Sequence, residues 1–91
     1  MHAMIVTVKI DPSRIAEAQQ VLAAEVVPMV KQIPGVLGAY WLNPVEGRGF
    51  SLVLFDTEDN ARAAAANIPN IPMPDFVKPD TVEVREVVAN F

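Results

Sequence analysis

Two stretches of this 91-residue chain, 3–10 and 50–55, are apolar on both sides. Both are rich in β-branched and large apolar residues, the composition of strands. Side chains alternate across a strand, so the first presents His2, Met4, Val6, Val8 and Ile10 on one face and Ala3, Ile5, Thr7 and Lys9 on the other. The second presents Phe50, Leu52 and Leu54 opposite Ser51, Val53 and Phe55. Such strands need a covering layer above and below. A chain of this length supplies one layer of helices, and the bare sheet face would exceed the few hundred Å² of apolar patch that soluble monomers usually show. A second copy, packed sheet to sheet about a two-fold axis, is the simplest cover.

The punctuation between these strands sets the order of elements. Asp11-Pro12 supplies an N-cap and a first-turn proline. Ile15, Ala18, Leu22, Val26, Met29 and Ile33 then recur at steps of three and four, one apolar helical stripe. Pro28 removes a backbone donor and should kink or loosen the last turns. Pro34-Gly35 ends this helix, and a second strand runs from Val36 to about Asn43. The segment 44–49 reads as a hairpin connection, glycine-rich where positive φ is needed. After the strand ending at Phe55, Asp56 or Thr57 caps a second helix through the alanines 63–66. The prolines at 69, 72, 74 and 79 make 67–79 an extended surface segment. A fourth strand is expected over 81–89. The order β-α-β-β-α-β specifies an α+β, ferredoxin-like plait, a four-stranded antiparallel sheet with both helices on one face and one domain over 1–91.

Composition narrows the function classes. Seven Lys+Arg against eleven Asp+Glu give a net charge of −4, which offers no electrostatic footprint for nucleic acid or an anionic membrane. The start of the chain lacks a basic leader region, and no stretch approaches the ~20 apolar residues of a membrane span, so a cytoplasmic location is expected. With no cysteine and a single histidine, no metal site and no cofactor are expected. Asp56, Glu58 and Asp59 cluster at a helix start, where they cap amides and complement the helix dipole.

Ile33-Pro34-Gly35 before a strand, and the run Val53-Leu54-Phe55-Asp56-Thr57-Glu58-Asp59 opening a helix, resemble the dimeric α+β barrel superfamily, in particular its antibiotic-biosynthesis-monooxygenase type. The resemblance implies a homodimeric barrel and a small-molecule cleft between helices and sheet. The superfamily includes cofactor-independent oxygenases, haem-degrading enzymes and lactone isomerases, so the likeness says more about fold than chemistry. Haem-degrading members carry an Asn on the first strand, a Trp ending the third and a His on the second helix. Here those places hold Val8, Phe55 and no histidine, which argues against haem degradation. Quinone-forming oxygenases carry an Asn where this chain has Ser51 and a Tyr near Ala61.

The candidate residues are few. His2, the only side chain with an ordinary pKa near neutrality, lies on the face of Met4 and Val6 and is the candidate general base; its plain reading is a terminal residue. Tyr40 and Trp41 point to opposite faces, one toward a partner copy and one into the cleft. Phe55 and Trp41 offer stacking surfaces, and alanines 61 and 63–66 leave room beside them. The Ser51 hydroxyl needs a partner in its apolar setting. Arg85 is either an inward charge that binds an anionic ligand or pairs across the dimer, or part of an exposed strand face protected from edge pairing. Three functions follow: a homodimeric binder of an apolar or aromatic small molecule, a cofactor-independent monooxygenase or isomerase, and a non-catalytic association module.

Overall fold

The computed structural model describes residues 1–91. Four strands, β1 (His2–Ile10), β2 (Val36–Val45), β3 (Arg48–Phe55) and β4 (Val77–Glu86), form one sheet in the order β2-β3-β1-β4. Every neighbouring pair is antiparallel. The two doubly apolar strands, β1 and β3, are the central pair. A first helical segment covers 12–30, and helix α3 (Glu58–Asn67) lies between β3 and β4. This is the ferredoxin-like plait that the order of elements predicts.

The first helical segment changes character along its length. It opens as a 3₁₀ turn (Pro12–Arg14) capped by Asp11, whose carboxylate accepts from Ser13 N–H at 3.0 Å. It continues as helix α1 (Ile15–Val21), widens to a π-helical turn (Leu22–Val26), and closes as α2 (Val27–Val30). In the wide turn the Val27 N–H reaches back to the Leu22 carbonyl. Pro28 follows directly, and its missing donor is absorbed by this widening. A local change of pitch therefore takes the place of the kink or loosened end that Pro28 predicts.

Two boundaries differ from the sequence expectation, both because prolines sit on edge strands. The hairpin connection narrows from 44–49 to Glu46 and Gly47, with φ +52° and +75° as a two-residue turn with mirror-image twist requires. Pro44 stays within β2, at an irregularity between Leu42 and Val45. Likewise β4 begins at Val77 rather than 81 and ends at Glu86 rather than 89. It contains Pro79 beside a register shift opposite Thr7/Val8, and an edge strand tolerates the lost donor there.

The two sequence signatures around Pro34-Gly35 and Asp56-Thr57 meet in space. Gly35 has φ +80°, and a Cβ there would lie 2.3 Å from both Asn60 Nδ2 and Asp56 Oδ1. The Asp56 N–H donates to the Gly35 carbonyl at 2.9 Å, Asn60 Nδ2 donates to Asp56 Oδ1 at 2.9 Å, and Thr57 caps α3 through the Asn60 N–H. One glycine without a side chain thus lets the end of the first helical segment close onto the start of α3.

The core is small and lies under α3. Ala61 and Ala64 are buried against a cluster that includes Phe55, Met4, Val6, Val53 and Ile68. Alanines bring the α3 backbone close to the sheet, and Phe55, fully buried, fills the space beneath. The opposite sheet face has no cover. Cross-strand rows place Tyr40, Leu52 and Ile5 side by side, and Leu42, Phe50 and Thr7 in the next row. Tyr40 is 62% exposed and Leu42 56%.

Candidate functional site

The first helical segment stands off the sheet where α3 closes on it. Its apolar stripe therefore faces a cavity rather than a packed core: only Val30 is buried in the whole segment. The result is a cleft of about 450 Å³. That volume falls within the roughly 300–1,000 Å³ of small-molecule sites. Its floor is the helix face of the sheet, with Met4, Val6 and Val53; its roof is Ala18, Leu22, Val26 and Met29.

The proline segment supplies the third wall. Ile68–Asn70 forms a 3₁₀ turn, and Ile71, Met73 and Val77 then line the cleft. The strap is fastened at its far end. The Asp11 N–H donates to the Phe76 carbonyl at 3.0 Å, and the Arg14 guanidinium lies 4.0 Å from the centre of the Phe76 ring. Arg14 also pairs with Glu17 at 2.8 Å and reaches Asp75 at 3.8 Å. Hydrogen bonding from Arg14 holds the Glu17 carboxyl below its ordinary value, and Ser13 does the same for Asp11 through its backbone N–H and its hydroxyl. The extended surface segment expected from its prolines is thus a wall of the site.

The residues singled out in the sequence are dispersed. Trp41 lines the cleft, and so does Ser51, whose hydroxyl donates to the Val6 carbonyl at 3.3 Å. Tyr40 points to the bare face, directly opposite Leu52. Phe55 lies in the core rather than along the cleft, because α3 closes directly over it. Arg85 is on the bare face, exposed and paired with Glu83 at 3.1 Å, so it does not reach a ligand in the cleft. His2 shares the helix face with Met4 but sits at the strand end opposite Phe55 and Glu86, away from the cleft lining. Its Nδ1 is buried without a hydrogen-bond partner. The alanines of α3 do not leave room for a ligand either: Ala61 and Ala64 are packed, and the space lies under the first helical segment instead.

Two lining residues carry no sequence signal that marks them. Gln19 on α1 and Asn43 on β2 meet at the exposed mouth of the cleft, where Gln19 Nε2 donates to Asn43 Oδ1 at 3.2 Å. Each reads in the sequence as an ordinary surface amide. A second hollow of about 370 Å³ is edged by Val27, Lys31 and Leu37, and Trp41 and Val30 line both spaces.

No family model and no curated protein matches the chain. Solved structures do. The heme-degrader MhuD from Mycobacterium tuberculosis, with two hemes bound in its active site, is 22% identical with a TM-score of 0.77, over 100% of this chain and 99% of that one. An arginine-to-serine variant of MhuD with two manganese protoporphyrin IX bound per active site is 21% identical with a TM-score of 0.69, over 100% and 98%. A protein of unknown function from Nitrosomonas europaea is 20% identical with a TM-score of 0.68, over 99% and 91%. At these identities the likeness establishes the fold, over the full length of the chain, and the fold is the MhuD-like α+β plait that residues 33–35 and 53–59 resemble.

Proposed function

We propose that this protein is a homodimeric binder of an apolar or aromatic small molecule, held between the first helical segment and the sheet. The observation that carries this reading is the cleft itself: an apolar helical stripe that in an ordinary core would pack on the sheet instead lines about 450 Å³ of space. No Asp, Glu, His, Lys or Tyr lines it. A proton-abstracting enzyme would need such a group within hydrogen-bond reach of its substrate, so binding is favoured over catalysis.

The heme-bound relatives raise the question of a porphyrin, and the residues here do not fit one. Haem iron is held by His, Cys, Tyr or a Met paired with His. The cleft has only the thioethers of Met4, Met29 and Met73 as soft donors, and no cation to meet a porphyrin's carboxylates. His2, the single histidine, is not in the lining.

The bare sheet face supports the second copy. Tyr40, Leu42 and Phe50 form an exposed apolar band across β2 and β3, beside the half-buried Ile5, Leu52 and Leu54. Soluble monomers seldom leave such a continuous patch in water. Tyr40→Glu would place a charge in the middle of this band and is expected to give monomers by sedimentation velocity where the wild type gives dimers.

Trp41 is the only tryptophan and lines the cleft, so its emission reports occupancy. Titration with N-phenyl-1-naphthylamine, an uncharged apolar fluorophore, is expected to saturate at one per protomer while quenching Trp41. A linear, non-saturating response would contradict the reading.

A further inference from the structure

Apart from the Trp41 indole, the only polar side chains lining the cleft are Gln19, Asn43 and Ser51, and none carries a charge. The Ser51 hydroxyl proton is already committed to the Val6 carbonyl. Gln19 and Asn43 are different. Their mutual bond joins α1 to β2 across the mouth and uses one N–H of Gln19 and one lone pair of Asn43. Gln19 keeps its Oε1 acceptor and a second N–H, and Asn43 keeps both Nδ2 hydrogens. A donor and an acceptor thus remain side by side where an apolar hollow opens to water.

We infer that this amide pair reads the polar end of the ligand, and that the cleft takes an uncharged, mainly apolar molecule ending in a carboxamide, ketone or hydroxyl in preference to a carboxylate. A ligand carbonyl accepts from Asn43 Nδ2, and a ligand N–H or O–H donates to Gln19 Oε1. A carboxylate would shed water at the mouth without a cation to replace it, and would face the Gln19 oxygen. No basic side chain lines the cleft: Arg14 is held by Glu17, Asp75 and the Phe76 ring, and Lys31 edges the second hollow. This inference rests on the cleft being a ligand site, and its test separates the two claims.

The test is displacement of N-phenyl-1-naphthylamine from the full chain at pH 8 by naphthalene-2-carboxamide and by 2-naphthoate, two probes matched in shape. The carboxamide is expected to bind about tenfold more tightly, the scale of a net neutral hydrogen bond plus avoided desolvation. The preference is the ratio of the two displacement constants within one protein, so any change in fluorophore affinity cancels, and the double variant Gln19→Leu/Asn43→Leu is expected to bring that ratio to about one. Gln19→Lys, which puts an ammonium at the mouth, is expected to reverse the order in favour of 2-naphthoate. Saturable fluorophore binding with no preference in the wild type, or with a preference that survives the double variant, would overturn the amide reading and leave the cleft standing. Absence of saturable fluorophore binding would remove both.

Discussion

The two helical regions of this protein solve the same packing problem in opposite ways. Both lie over one face of one sheet and both carry an apolar stripe. Helix α3 uses alanine at 61 and 64, approaches closely and seals Phe55 beneath it. The 12–30 segment uses Leu22, Val26 and Met29, stands away, and needs the 71–77 strap as a side wall. Hydrophobic periodicity thus predicts which face of a helix turns inward, not whether that face meets a core or a cavity. Side-chain size does not decide it either: the bulkier stripe is the one that leaves space.

Removing the ring that α3 seals has the largest expected effect. Phe55→Ala is expected to cost about 3–5 kcal/mol in urea unfolding, a large part of a small domain's stability. Trp41→Ala, on the cleft side and only half-buried, is expected to cost about 2 kcal/mol or less by the same measurement. Equal losses would mean that the two regions are packed alike.

The same substitution on the two helices is expected to have opposite effects. Ala61→Leu forces a larger side chain into a filled site and is expected to destabilise by about 1–3 kcal/mol. Ala18→Leu extends into the cleft and is expected to be neutral or slightly stabilising, since the added carbons gain contacts without displacing any. A destabilising Ala18→Leu would show that the roof has no room to spare.

Much of the plait is legible in the residues, and its gaps have physical causes. The doubly apolar patterns of 3–10 and 50–55 place β1 and β3 at the centre of the sheet, and Asp11-Pro12 and Thr57 mark helix starts that the cap hydrogen bonds match. The limits of β4 are obscured by Pro79, because a proline is forbidden in a central strand but tolerated on an edge, and the sequence does not say which strand is which. The site is less legible. Trp41 and Ser51 are visible as an aromatic and a hydroxyl on an apolar strand, whereas Gln19 and Asn43 become a pair only when α1 crosses β2. The α3 alanines suggest room because small residues serve both for voids and for close approach, and only the packing of Phe55 and Ile68 around them distinguishes the two.

The bare sheet face gives a smaller effect that depends on assembly. Tyr40→Ser in an isolated protomer is expected to change stability by no more than about 0.5 kcal/mol, as at an ordinary surface position. In the proposed dimer the same change is expected to lower the unfolding midpoint at a fixed protein concentration by more than it does in the protomer, because weaker association contributes less stability by mass action.

Acid has the smallest effect and acts on the strap. Asp11 and Glu17 are both held below their ordinary values of 3.8 and 4.5, by Ser13 and by Arg14. A depressed folded-state pKa contributes stability that is present above the ordinary value and is lost as pH falls through the folded one. Both groups are exposed, so the contribution is modest. Below about pH 4, hydrogen exchange at 71–77 is expected to quicken before exchange in α3 does, because protonation releases Arg14 and the cap while leaving the Phe55 core intact. Simultaneous loosening of both regions would contradict a separately fastened wall.

Whether the cleft holds the ligand is decided by native mass spectrometry of the wild type and Ala18→Trp after equilibration with N-phenyl-1-naphthylamine. The indole at 18 would occupy the roof of the cleft without touching the α3 core or the bare face. The expected result is a dimer in both, with one fluorophore per protomer in the wild type and none in the variant. Equal retention by the two proteins would place binding outside the cleft and contradict the account.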